Sequence, residues 1–285
     1  MSRGQSPSVV FVVGSGRSGT TIVLDAIATL EHVLAVPRLA GRIPATTPVA
    51  ALLARYGVGP AAWTRPSPES TALFTEAGLT QGFQANLGRS ISPHDAGKLC
   101  MKRLDTRLSS IRRFGNAETV VVKNTASCAR IPILATTFPE CAFVHVLRHP
   151  SRVITSLLSA DFWSEMTLWW DGRTTAQFAR AEGLTSEEVA ARHWAKQVGT
   201  LAADLVRFAE SRSLLVRYED FVRDPVATVL SMNRLGIDVR EGPEFHRKLD
   251  QLQVRAETTT PISKAVSAAV AKECADVAAT IGMTL

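Results

Sequence analysis

The sequence predicts an α/β fold of three layers, α/β/α, around a central parallel sheet. Four short runs, residues 9–13, 119–122, 142–147 and 213–216, are apolar almost throughout and rich in valine. A strand covered by helices on both faces of a parallel sheet has this pattern, whereas a strand with one wet face alternates. Each run is followed by a polar loop and then by helical periodicity, the alternation a parallel sheet requires. Residues 37–118 differ: prolines cluster there (Pro37, Pro44, Pro48, Pro60, Pro66, Pro68) and no strand stands out. They read as a long insertion with short helices near 49–55, 67–76 and 105–113, and such insertions tend to cover a ligand site.

The first run ends in Gly14-Ser15-Gly16-Arg17-Ser18-Gly19-Thr20-Thr21, and a helical segment over 20–30 follows at once. Small residues let backbone N–H groups curl around an anion, and the helix start adds free N–H groups and a favourable dipole. Four residues separate Gly14 from Gly19, which fits a phosphate-binding P-loop and makes the predicted fold P-loop-type. Nucleoside triphosphatases place a lysine after the second glycine, where this chain has Thr20. The cation in the loop is Arg17, so the loop predicts a phosphate-type anion without the lysine that ATP or GTP hydrolysis calls for.

Beyond the insertion, the second run stops just before Lys123, which should reach the ligand end of the sheet. A helix is expected over 131–137. The third run ends at Leu147, placing Arg148 at a strand's carboxyl end, where a guanidinium can hold an anion through two hydrogen bonds. Pro150 opens a helix over 150–160 that carries Ser156, with Arg152 four residues earlier read as a solvated helix residue. Phe162, Trp163, Trp169 and Trp170 divide between core packing and the wall of an acceptor pocket, and Trp194, inside a long helix over 186–209, reads as core. After the fourth run, Tyr218 falls just past a strand end, where its ring would lie against a base or pack a corner. Asp224 reads as the N-cap of a helix over 225–235 that Gly236 closes, and helical patterns follow over 243–252 and 262–281.

A chain of 285 residues suffices for a sizeable core. Its net charge of +6 is scattered, which suits an anionic ligand and argues against nucleic acid. Cys100, Cys128, Cys141 and Cys274 are far apart, as expected of thiols in a reducing compartment. The first apolar run covers only residues 9–13, too short for a signal peptide or a bilayer span. A cytoplasmic, bacterial protein is the expectation, with no membrane partner. The histidines are dispersed without ligand spacing, so no metal is expected.

Taken together, residues 11–21, 119–156 and 214–225 resemble the sulfotransferases that use 3′-phosphoadenosine 5′-phosphosulfate (PAPS), closest to their bacterial and Golgi-type branch. The resemblance implies one domain over 1–285, with 37–118 as an acceptor-side insertion. It implies that Ser15, Gly16, Arg17, Ser18, Gly19, Thr20 and Thr21 hold the phosphosulfate, and that Arg148 and Ser156 hold the 3′-phosphate. Tyr218 takes the place of the family's adenine-side tyrosine, and Lys123 that of the lysine that stabilises the sulfuryl group. Arg17 and Lys123 would be catalytic, and the acceptor a small molecule, a glycan or natural product, with a hydroxyl or amine. The base is not at a family position. Thr125 stands where some relatives have histidine, and residues 35–39, where others have glutamate, hold no carboxylate. His94, Asp105, Glu69, Glu76, Asp161 and Glu165 are the candidates. Two other readings fit the loop: a P-loop kinase, which Thr20 argues against, and a protein that binds PAPS or its product 3′,5′-adenosine bisphosphate (PAP) without transfer.

Overall fold

The computed structural model describes residues 6–80, 88–239, 245–247, 249–250 and 260–285. Strand β1 (Val9–Val13) turns through the glycine loop into helix α1 (Thr20–Ile27), and a short strand β2 (Val33–Ala35) follows. The insertion supplies α2 (Arg38–Arg42), α3 (Thr47–Tyr56), α4 (Ala61–Thr64), α5 (Thr71–Glu76) and α6 (Met101–Gly115). The chain returns to the sheet as β3 (Thr119–Lys123), α7 (Ile131–Thr137), β4 (Ala142–Leu147) and α8 (Pro150–Leu158). Helices α9 (Thr175–Glu182) and α10 (Ser186–Ala209) lead to β5 (Ser213–Arg217), α11 (Tyr218–Arg223) and α12 (Pro225–Leu230). Helices α13 (Lys264–Glu273) and α14 (Ala275–Thr280) close the described chain.

The five strands are parallel in the order β2-β3-β1-β4-β5. Strand β1 is central and buried throughout. Val9, Phe11 and Val13 face one helix layer with α6 and α7, while Val10 and Val12 face the other with α1. Both faces are covered, which is why the run is continuously apolar. Phe11 lies 5.5 Å from the ring centroids of both Phe138 and Phe143, tying the sheet to the segment after α7. A third cluster joins α8, α9, α10 and α13.

Local signals explain most boundaries. Thr185 and Glu188 cap each other at the start of α10. Pro150 opens α8, and the Asp224 carboxylate accepts from the Ala227 N–H at the start of α12. Helix α12 passes into a 3₁₀ turn over Ser231–Leu235, closed by Gly236 at φ 76°. The helix expected over 262–281 is two helices meeting at Cys274, and α1 and α8 end earlier than expected, at Ile27 and Leu158. Strand β2 and helix α9 are additions to the sequence expectation. Three residues are too few for a periodicity to show, and α9 is set by a capping box at Thr174 and Gln177 rather than by a long apolar stripe. Of the helix expected over 243–252, residues 245–247 and 249–250 are described and are helical, and the others lie outside the described residues. Among the described residues no strand interrupts 37–118, and no helix is long and apolar enough to cross a membrane.

Two histidines are locked inside this frame. His145 in β4 and His193 in α10 are buried, and burial lowers each pKa to about 4. Above about pH 6.5 both are neutral whether folded or not and add nothing to the pH dependence. Below it the unfolded chain takes up protons that the folded chain refuses, so stability falls as pH drops toward 4. Urea midpoints at pH 7 and pH 4.5 should show a loss of up to about 3 kcal/mol per histidine, and His145→Gln should flatten part of that slope.

Candidate active site

The glycine loop leaves β1 and closes on α1 with two left-handed residues, Arg17 at φ 67° and Gly19 at φ 91°. The Ser18 N–H donates to the Ser15 carbonyl at 3.2 Å, pinning the turn. A Cβ on Gly19 would fall 2.2 Å from the Tyr218 ring, so packing as well as dihedral requires glycine. A Cβ on Gly16 would meet nothing within 4 Å, so that glycine borders open space. Ser18 Oγ is buried and has no hydrogen-bond partner among the described residues.

Around the loop the predicted residues converge. Arg17 Nε donates to Ser156 Oγ at 2.9 Å. Arg148 Nη1 donates to the Arg17 carbonyl at 3.2 Å, and its guanidinium lies 4.3 Å from the centroid of the Tyr218 ring. Arg148 Nε is buried without a partner among the described residues, and burial pushes the Arg148 pKa down, with Tyr218 and Glu219 opposing. Tyr218 therefore acts first as a platform, with Arg148 over its ring and Gly19 tight against it. Arg152 is not simply solvated: it is half-buried and donates to the Thr260 carbonyl at 2.6 Å.

Lys123 ends β3 only 4% exposed, with its ammonium 3.4 Å from Thr21 Oγ1. It also donates to Glu69 Oε1 in a close ion pair. Glu69 Oε2 accepts from the Thr125 N–H at 2.9 Å and from Thr125 Oγ1 at 3.1 Å, and Asn124 Nδ2 donates to the Glu69 carbonyl at 2.6 Å. Residues 65–67 reach this point by running antiparallel to 36–38, just past β2. The Arg38 N–H donates to the Arg65 carbonyl at 2.9 Å, and the Ser67 N–H to the Val36 carbonyl at 2.7 Å. Among the sequence candidates for a base, Glu69 is the one at the loop. Glu76 is bound to Arg107, which lowers its pKa, and His94, Asp105, Asp161 and Glu165 are exposed away from the cleft.

The cleft over these groups has a volume of about 890 Å³. Its second half runs past Phe74, Leu79, Leu157, Phe162, Met166 and Trp169. The aromatic group thus divides. Trp169 and Phe162 line the cleft, whereas Trp163 donates to Ser186 Oγ at 2.9 Å and Trp170 packs on Phe178 at 5.0 Å. Trp194 is fully buried in the core. Sequence reasoning missed Arg130, His193 and Gln197 at the inner wall. Their side chains become neighbours only when α10 crosses the turn after β3, so no local pattern marks them.

A sequence model of the sulfotransferase family matches residues 7–241. The sulfotransferase domain from the curacin biosynthetic pathway has a similar fold, with a TM-score of 0.53 and 16% identity over 99% of this chain and 100% of that one. Sulfotransferase STF9 from Mycobacterium avium gives 0.59 and 13%, over 99% of this chain and 79% of that one. Sulfotransferase STF1 from Mycobacterium tuberculosis H37Rv gives 0.57 and 14%, over 94% and 77%. At such identities the likeness is one of fold. A search of curated protein sequences found no match.

The contact between Gly19 and Tyr218 is open to test. Gly19→Ala should cost about 1–3 kcal/mol in thermal or chemical unfolding, from a left-handed alanine plus the clash. In a Tyr218→Ala background the same change should cost less, because only the backbone share remains. Equal losses in both backgrounds would show that the ring does not constrain the loop.

Proposed function

The chain belongs to the sulfotransferase family, and on that premise we propose that it transfers a sulfuryl group from PAPS to a hydroxyl of a small-molecule acceptor. The observation that carries this reading is the meeting of Lys123 and Glu69 at the mouth of the glycine loop. The site also fits the donor's anionic groups. Ser18 Oγ and Arg148 Nε are buried polar atoms without partners among the described residues, and Gly16 borders open space. Phosphate oxygens are acceptors that would satisfy both atoms.

When bound, PAPS supplies the sulfuryl group and a phosphate leaving group. The loop N–H groups and the start of α1 stabilise negative charge as it builds on the leaving side. Arg17 and Lys123 donate to oxygens around the transferring centre, so the residues place and stabilise rather than form bonds. Arg148, oriented by Tyr218, and the Ser156 hydroxyl, already oriented by Arg17, take the 3′-phosphate. Glu69 accepts the acceptor's hydroxyl proton. Oε2 accepts from both the N–H and the hydroxyl of Thr125, but Oε1 accepts from Lys123 alone and keeps a further lone pair, and the side chain is 39% exposed. Thr20, where a kinase would place its lysine, suits this chemistry better than phosphoryl transfer.

Residues 37–118 then form the acceptor side of a single domain. Four free thiols, three of them buried, suit a reducing bacterial cytoplasm.

Calorimetry with PAP and with ATP tests the donor. Tight binding of PAP and weak binding of ATP are expected, and preference for ATP with magnesium would overturn the assignment. Arg148→Ala should weaken PAP binding by about 10–100-fold, the loss of a charge-assisted pair. Glu69→Gln should lower kcat by about 10²–10⁴-fold while PAP affinity holds, and a kcat close to that of the unaltered enzyme would remove Glu69 as the base.

A further inference from the structure

Helix α3 is built inside out. Ala50 and Ala51 face inward, buried in one cluster with Leu104 and Leu108 of α6. Val49, Leu52, Leu53 and Tyr56 recur at i, i+3, i+4 and i+7 and share the other face. In a surface helix that spacing marks the side turned to the core. Here it is turned to solvent: Val49 is 56% exposed and Tyr56 65%, Leu52 is exposed and Leu53 half-buried. The turn after α3 extends this face. The Val58 N–H donates to the Leu53 carbonyl at 3.0 Å, and the Val58 side chain is exposed. A Cβ on Gly59 would stand 3.8 Å from the Leu53 side chain and 3.9 Å from the Trp63 ring, so the exposed indole lies beside the apolar stripe. Of the eleven exposed large apolar residues in the described chain, six lie within residues 43–63. A concentration of this kind marks a contact surface, whereas single exposed apolar residues need no explanation.

The charge around this surface has one sign. Residues 32–68 hold no Asp or Glu. Arg42, Arg55 and Arg65 are exposed, with no ion-pair partner among the described residues. The Arg55 guanidinium lies 5.0 Å from the centroid of the Tyr56 ring, so cation and apolar stripe are contiguous. The charge that looks scattered along the chain is in fact segregated. Residues 37–118 carry eleven Arg and Lys against five Asp and Glu, and the rest of the chain is balanced at twenty-one of each. The net +6 therefore belongs to the insertion. Charge alone would suit any polyanion. The stripe and the indole decide for an anionic bilayer, where arginines meet headgroups, apolar side chains enter the boundary, and Trp and Tyr sit at the interface. None of these side chains lines the cleft.

We propose that the outer face of α3, continued by Val58 and Trp63, docks on an anionic lipid surface. The apolar side chains enter the headgroup boundary, and Arg42, Arg55 and Arg65 pair with lipid phosphates. The expectation of no membrane partner rested on the lack of a spanning segment, and a helix that lies in the interface needs none. The docking does not depend on the transfer described above.

Vesicles of phosphatidylglycerol and phosphatidylcholine in equal parts are the probe, with vesicles of phosphatidylcholine alone as the comparison. Trp63 is the reporter, as the one exposed tryptophan among the described residues. Binding should shift its emission to the blue and open it to quenching by brominated lipid. Co-sedimentation should show about tenfold or more tighter partitioning onto the anionic vesicles. Replacing Arg42, Arg55 and Arg65 together with Gln should lower that partitioning about 100-fold, about fivefold for each charge. Leu52→Glu with Tyr56→Glu should lower it about tenfold or more. All five side chains are exposed, so an unchanged unfolding midpoint serves as the control for an intact fold. Equal partitioning onto both kinds of vesicle, or partitioning that survives both sets of substitutions, would overturn the proposal. No binding to either vesicle would also overturn it and leave an acidic protein as the partner that the charge fits. A dimer in sedimentation velocity that the two glutamate substitutions split would overturn it in favour of a second copy of this chain.

Discussion

Val12 pairs with Lys123 and Val13 with His145, so β3 and β1 end within one residue of each other and β4 runs two residues further, to Leu147, with all three carboxyl ends on one edge. Everything chemical in the molecule follows from that alignment. The glycine loop, Lys123 and Arg148 leave three adjacent strands at one edge, within reach of a single anionic ligand. A parallel sheet imposes this geometry because every strand delivers its carboxyl end to the same side. The aligned edge would be worthless if the strands could slip. Both faces of β1 are buried, so a slip by one residue would exchange its two sets of side chains between differently shaped layers.

On that edge the groups stabilise one another in pairs. Tyr218 holds Arg148, Arg148 holds the Arg17 carbonyl, and Arg17 holds Ser156. Much of the geometry is therefore set by protein contacts alone, which reduces the ordering required when a ligand arrives. Arg17, a left-handed residue other than glycine, is the strained point of this arrangement, and it lies with left-handed Gly19 in the turn between β1 and α1.

What the sequence disclosed and what it hid divide along a physical line. The loop, Lys123, Arg148 and Tyr218 were legible because each sits within a few residues of a strand end, and a strand end is visible as an apolar run. Glu69 was visible only as one carboxylate among several. Its position depends on residues 65–67 lying beside 36–38, a backbone pairing between segments almost thirty residues apart with no alternation to betray it. Arg130, His193 and Gln197 were hidden for a related reason. They become neighbours through the packing of α10 over the turn after β3, and burial of a cation leaves no mark in composition. Strand β2 escaped because it is only three residues long.

Glu69 has an unusual address. Lys123 and Arg148 stand at the ends of sheet strands, but this carboxylate belongs to the insertion, attached to the sheet's edge by a short antiparallel contact. The same insertion, through Phe74 and Leu79, also lines the cleft. On the function proposed above, selectivity and proton removal are carried on one exchangeable cassette, and the donor machinery on a fixed chassis. A lineage that replaced the cassette would change what is modified and how readily its hydroxyl ionises in the same step, while leaving the donor pocket untouched.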